Sequence, residues 1–163
     1  MILIGIGGNL PSSVGDPAAT IAAAIGALTA AGVRVVARSR DYRSAPVPVS
    51  DQPWYVNAVI AVATDLSPPD LLALLHRIEA RFGRARREVN GARTLDLDLL
   101  AYDALVAAGG DGAPFLPHPR LHHRAFVLLP LAEIAPGWRH PITGDTVEHL
   151  IAALPPDQIA API

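Results

Sequence analysis

An antiparallel-rich α+β sandwich of split βαβ units is the fold class that three observations predict for this chain. Apolar runs of strand length and two segments of helical period follow one another in the order β-α-β-β-α-β. Both helical segments open on a capping residue followed by proline, Asp16-Pro17 and Ser67-Pro68. Glycine and proline stand between the runs and seldom inside them.

Residues 2–7, ILIGIG, are a short apolar run expected as a buried strand. GGNLPSSVGD has loop composition. Asp16 and Pro17 start a helix over residues 18–31, with Ile21, Ile25 and Leu28 at helical spacing and Gly32 closing it. Residues 33–43 alternate in part and are expected as one second strand. SAPVPVSDQP suits neither a helix nor a central strand, because its prolines lack an N–H and fix φ, so a stiff irregular loop is expected. Residues 55–63, YVNAVIAVA, are a strong third strand. Ser67 and Pro68 open the second helix, with an apolar stripe of Leu71, Leu72, Leu75 and Ile78 and a stop at Gly83. GRARREVNGAR is basic and aperiodic, a loop by composition. TLDLDLLAY is a fourth strand. DALVAAGGDGAPF suits a surface connection with a small hairpin, and PHPRLHHR a loop or short turn. Residues 125–134 read as a helix and 147–154 as a last short one. The order is the ferredoxin-like pattern, one sheet with both main helices on one face. Its 163 residues are expected to form one domain over 1–163.

Composition narrows the function. Hydrophobic residues at 51% and charged residues at 17% exclude a disordered chain. Thirteen Lys+Arg against fifteen Asp+Glu leave a net charge of -2, and aromatics are only 5%, so nucleic acid is not an expected partner. The absence of Cys excludes a disulfide framework, a thiolate metal site and a catalytic thiol. Apolar runs stop well short of the ~18 residues a membrane span needs, and MILIGIGGNL lacks the basic start of a signal peptide. No membrane partner, a cytoplasmic location and a monomer are the expectations.

The sharpest local feature is Asp96-Leu97-Asp98. On a strand, i and i+2 share a face, so Leu95, Leu97 and Leu99 would enter the core and both carboxylates point away. Two such carboxylates repel unless cations lie between them, and magnesium favours one or two carboxylates completed by substrate phosphates. The plain alternative is an exposed face whose acids pair with arginine. Arg84, Arg86, Arg87 and Arg93 lie just upstream, and guanidinium forks grip phosphate, although a solvated basic loop has the same composition. PHPRLHHRAF holds His118, Arg120, His122, His123, Arg124 and Phe126 at a spacing unsuited to zinc. Phosphate-binding His and Arg fit it better, nearly matched by a polar turn that caps the next helix. In SAPVPVSDQPWYVN a stiff loop runs into a strand with Tyr55 and Asn57 on one face. A ring and an amide suit a flat heteroaromatic ligand, against the alternative of a core Tyr and a satisfied buried Asn. Gly5, Gly7 and Gly8 match neither dinucleotide nor Walker spacing and suit close packing and a tight turn.

Together and in this order these clusters resemble the 6-hydroxymethyl-7,8-dihydropterin pyrophosphokinase family. YRSAPVPVSDQPWYVNAV, HRIEARFGR, RTLDLDLLAY and PHPRLHHRAFVLLPLAEIAP carry the likeness, which runs from GGNL to near Leu150. The resemblance implies a ferredoxin-like α/β sandwich. It implies transfer of diphosphate from ATP to the pterin hydroxymethyl group in folate biosynthesis, releasing AMP, with ATP as co-substrate and two magnesium ions. It implies Asp96 and Asp98 as metal ligands and, with Arg84 and Arg93, as the catalytic set. It further implies Ser44, Ala45, Val47, Tyr55, Asn57 and Phe126 at the pterin. For ATP it implies His76, Glu79, Arg86, the backbone at Leu99, His118 and Arg124. Departures are GGNLP for the usual GSNLG, Ala45 for a common Pro, His76 for a frequent Gln, and VNGART for RWGPRT. In that last motif Asn90 and Ala92 replace Trp and Pro, which leaves any closure of the loop to its arginines. A metal-dependent phosphoesterase would instead release phosphate from simple esters, and a ligand-sensing or RNA-binding module would leave ATP unconsumed.

Overall fold

The computed structural model describes residues 1–46, 48–83 and 92–163. Among these the chain runs β1 (Ile2–Gly8), α1 (Pro17–Ala30), β2 (Arg34–Arg38), β3 (Tyr42–Ser44), β4 (Tyr55–Ala63), α2 (Pro68–Arg81) and β5 (Asp96–Tyr102). It continues through β6 (Ala107–Gly110), β7 (Ala113–Leu116), a 3-10 turn (Leu121–His123), α3 (Ala125–Ile134), α4 (Val147–Ala152) and β8 (Ala160–Pro162). The main sheet has the order β5-β1-β4-β3-β8, with β2 also on β4, and every pairing is antiparallel. This interleaves the two βαβ halves as the split pattern requires.

The caps form as expected. The Asp16 carboxylate accepts from Ala19 N at 2.9 Å, and Ser67 Oγ from Asp70 N at 3.3 Å. The stripe of α2 is Leu71, Leu74, Leu75 and Ile78, so Leu74 takes the place expected for Leu72, which sits half-buried at its edge. The single strand expected over 33–43 is broken in two. Ser39 interrupts it: its N–H donates to Val59 O and its Oγ accepts from Val59 N, each at 3.0 Å, so a side chain stands in for a ladder partner. The hairpin is present as β6–β7, turning through consecutive positive φ at Gly110, Asp111 and Gly112 of 101°, 50° and 81°. β8 was not expected; it adds to the edge of β3.

Two cores result, one on each sheet face. α1 and α2 close one with Ile4, Ile6, Ile60, Leu97 and Leu99. α3 and α4 cover part of the other, over Leu3, Val59, Ala61, Leu100 and Ala101. A β-bulge aids the switch: Leu3 pairs with Ala101 and Ile4 with Leu99, leaving Leu100 as the extra residue. Both main helices do lie on one face, and α3 and α4 add a third layer.

Candidate active site

Where α3 and α4 stop covering the sheet, a cavity of about 360 Å³ opens over β5, β1 and β4. Its floor follows from strand register. Asp96 pairs with Gly7, which pairs with Asn57; Asp98 pairs with Gly5, which pairs with Val59. Two strand spacings separate the carboxylates from the amide, roughly 10 Å. The glycines leave that interval without side chains, and a Cβ on Gly7 would collide with Asn57 Oδ1. The close packing expected of these glycines is present; that they also form the floor of a cavity is not a property a short glycine run announces. Gly8 packs as closely, since a Cβ there would lie 2.5 Å from Thr94 O.

On the acidic side, Asp96 and Asp98 are half-buried and face the cavity while Leu95, Leu97 and Leu99 enter the opposite core. Arg93 Nη1 donates to Asp96 Oδ2 at 3.0 Å. Asn9, buried to 3% exposure, holds Arg93 in place. Its Oδ1 accepts from Arg93 N at 2.9 Å, and its own N–H donates to Arg93 O at 3.0 Å. Its Nδ2 donates to Gln52 Oε1 and Pro53 O, both at 2.9 Å. Asn9 therefore ties together three loops at the cavity. The sequence signals for it were a polar residue directly after the first buried strand and its place in the GGNL motif.

On the opposite side, buried Asn57 donates from Nδ2 to buried Ser44 Oγ at 2.7 Å, which fixes the amide's orientation. Tyr55 Oη donates to Gln52 Oε1 at 3.3 Å, and burial raises its phenol above the ordinary value, so it stays neutral. Ala45, Pro48, Phe126 and Val127 supply apolar wall. Arg120 and Arg124 give the remaining wall positive charge, with the Arg124 guanidinium 5.3 Å from the Phe126 ring, and His123 lies beside them. Burial, then Arg120, pulls Arg124 below its ordinary value, and Asp98 and Asp96 pull it back. His118 adjoins them. Burial, then Arg124 and Arg120, lowers its pKa to about 4. Its Nδ1 accepts from Arg120 N at 3.1 Å, which leaves the proton of the neutral ring on Nε2.

The structure thus gathers Ser44, Ala45, Tyr55, Asn57, Arg93, Asp96, Asp98, Arg124 and Phe126 around one cavity. His76, Glu79, Leu99 and His118 are not among the described residues lining it. His76 is exposed on α2, and Leu99 is buried in the α1/α2 core. Glu79, 3% exposed, accepts from Leu97 N at 2.8 Å and so grips the strand between the two aspartates from its other face. Val47, Arg84, Arg86, Arg87 and Asn90 lie outside the described residues. The donor set suits magnesium. Two hard carboxylates face an open cavity, and no group of three or more His, Cys, Asp or Glu among the described residues makes an all-protein cage, so phosphate oxygens would complete the shell.

Fold and cavity together give a small α+β architecture with carboxylates, guanidinium groups and an apolar wall in one cleft. The model of the 7,8-dihydro-6-hydroxymethylpterin-pyrophosphokinase (HPPK) family matches residues 3–136, and the chain belongs to that family. It is 46% identical over 152 residues to a 2-amino-4-hydroxy-6-hydroxymethyldihydropteridine pyrophosphokinase of Methylorubrum extorquens, covering 93% of this chain and 94% of that one. It is 41% identical over 150 residues to the like-named protein of Synechocystis, covering 91% and 73%. A solved Plasmodium falciparum HPPK-DHPS shares the fold, with a TM-score of 0.67 at 12% identity over 93% of this chain; the chain spans 41% of that longer protein. No described helix is long and apolar enough to cross a membrane.

Proposed function

We propose that the chain transfers diphosphate from ATP to 6-hydroxymethyl-7,8-dihydropterin in the cytoplasm, giving AMP and the pterin diphosphate. Family membership supports this reading, and one observation carries it: the Asp96–Asp98 pair faces Asn57 across the glycine floor inside a single cavity. Asn57, oriented by Ser44, reads the amide-like edge of the pterin, with Tyr55 and Phe126 about its ring and Ala45 and Val47 beside it. Arg93 and Arg124, with Arg84 and Arg86 as the family resemblance implies, take phosphate charge. His118, neutral, offers Nε2–H to the nucleotide. Glu79 serves ATP through the strand it grips. Asp96 and Asp98 would hold a pair of magnesium ions, whose chemistry is to neutralise phosphate charge and acidify the attacking hydroxyl.

The pterin hydroxyl oxygen attacks the β-phosphorus and loses its proton to water, and the bond from that phosphorus to the α,β-bridging oxygen breaks, releasing AMP. Positioning by these residues supplies most of the acceleration. The test is incubation with ATP, magnesium and the pterin alcohol. AMP and pterin diphosphate are expected in equal amounts; ADP, free phosphate or unconsumed ATP overturns the reading.

A further inference from the structure

The segment 158–163 touches both sides of the ring-binding half of the cavity. On one side its backbone is stitched to β3 and the residue after it. Ala160, Ala161 and Pro162 pair with Ser44, Arg43 and Tyr42, and Ala45 N donates to Ile159 O at 3.1 Å. Ser44 is the residue that orients Asn57. On the other side stands the start of α3. Its N-cap position is Arg124, whose side chain makes no capping hydrogen bond. A remote residue supplies the missing partner: Gln158 Oε1 accepts from Ala125 N at 2.8 Å, and Gln158 Nε2 donates to His123 O at 2.6 Å. One side-chain amide therefore fixes the backbone on both flanks of Arg124, two residues before Phe126, and Gln158 itself lines the cavity.

We propose that Gln158 is a positioning residue for the ring-binding half, a brace that sets the separation between the Ser44–Ala45 wall and the Arg124–Phe126 wall. The proposal deepens the pyrophosphokinase reading and rests on it for the identity of the ring. The polyphosphate end has a brace of its own in Asn9 and Arg93 and meets the Gln158 brace at Arg124, so the pterin should respond more strongly than ATP.

The experiment compares wild type with Gln158→Ala and with Gln158→Met, which keeps length and bulk but loses both hydrogen bonds. In both variants KM for the pterin should rise about tenfold, the size of one lost neutral hydrogen bond, with a smaller rise in KM for ATP because Arg124 lies on the braced backbone, while kcat at saturation holds. A fold-wide defect would not produce that split. Wild-type pterin affinity in Gln158→Met would show that Gln158 only fills space and would overturn the proposal. Amide hydrogen exchange without ligand separates the brace from the reaction. The Ala125 amide should exchange faster in both variants, and unchanged exchange sinks the brace. Faster exchange in a protein whose wild type binds no pterin sustains the brace and removes the pyrophosphokinase reading.

Discussion

Alternate residues of the same strands meet opposite fates on the two faces of this sheet. On the α1/α2 face, β1 presents Ile4 and Ile6, and β5 presents Leu97 and Leu99, all buried. One residue along each strand, the other face carries Gly5, Gly7, Asp96 and Asp98 around an open cavity. The first face is closed over its length by α1 and α2. The second is closed by α3 and α4 only toward Leu3, Ala61 and Ala101. The period of two that builds a strand thus separates two tasks: one face stabilises, and the other can keep carboxylates close together and glycines where side chains would pack better.

The largest effects should come from crossing that divide. Asp98→Ala or Asp96→Ala should lower turnover by roughly 10²–10³-fold, the scale of losing one preorganised electrostatic group, with little change in melting temperature. Leu97→Ala, between them in sequence, should do the reverse. It leaves a cavity in a dry core and should cost about 2–5 kcal/mol of stability while the folded fraction keeps its turnover per molecule. Calorimetry and active-site-normalised kinetics on the three variants check this. Near-normal turnover in a folded aspartate variant at saturating magnesium would remove the metal assignment.

The same divide explains what was legible in the chain. Caps and periodicities are local, so Asp16, Ser67, the α2 stripe apart from Leu74, and the Leu-Asp alternation of β5 could be read directly. The break at Ser39 could not, because it depends on a partner twenty residues away on β4. β8 is three residues long and proline-containing, and exists as a strand only because β3 offers an edge. Asn9 and Gln158 act through partners 33 to 84 residues distant in sequence, so no local pattern reveals what they hold together. The residues with chemistry of their own, Asp96, Asp98, Asn57 and Arg124, were legible because acid, amide and guanidinium groups are conspicuous in a chain with 17% charge.

A smaller perturbation probes the floor itself. In Gly7→Ala the new methyl meets Asn57 Oδ1, so the amide must leave its place beside Ser44. Pterin affinity should fall at least as far as in Asn57→Ala, where removing one buried hydrogen-bonding group costs on the order of 1–3 kcal/mol. Titration calorimetry with each substrate separately distinguishes the faces of the cleft, because a nucleotide analogue should bind both variants nearly as it binds wild type. Equal losses for both ligands would make Asn57 a support for the sheet and not a reader of the ring.

The smallest expected effect lies at the basic wall, where it would show that the second face costs stability as well as conferring function. His118 has its pKa lowered from 6.5 to about 4, chiefly by burial and then by Arg124 and Arg120. As pH falls through 6.5 the unfolded chain takes up this proton before the folded one, so the unfolded state binds more protons in that window. The stability contributed by the neutral ring is complete above pH 6.5 and is lost as the pH drops toward about 4. His118→Gln retains a side-chain acceptor near Arg120 N but cannot take up a proton. Its unfolding free energy should therefore decline less than that of wild type between these two values, by an amount on the order of 1 kcal/mol once the ring's partial exposure is discounted, and its melting temperature should fall correspondingly less. Carboxylates titrate in the same range in both proteins, so the difference between the two curves isolates the imidazole. Parallel curves would show that the wall lets His118 charge as freely as an unfolded chain does. Arg120 and Arg124 would then impose no electrostatic strain on this face.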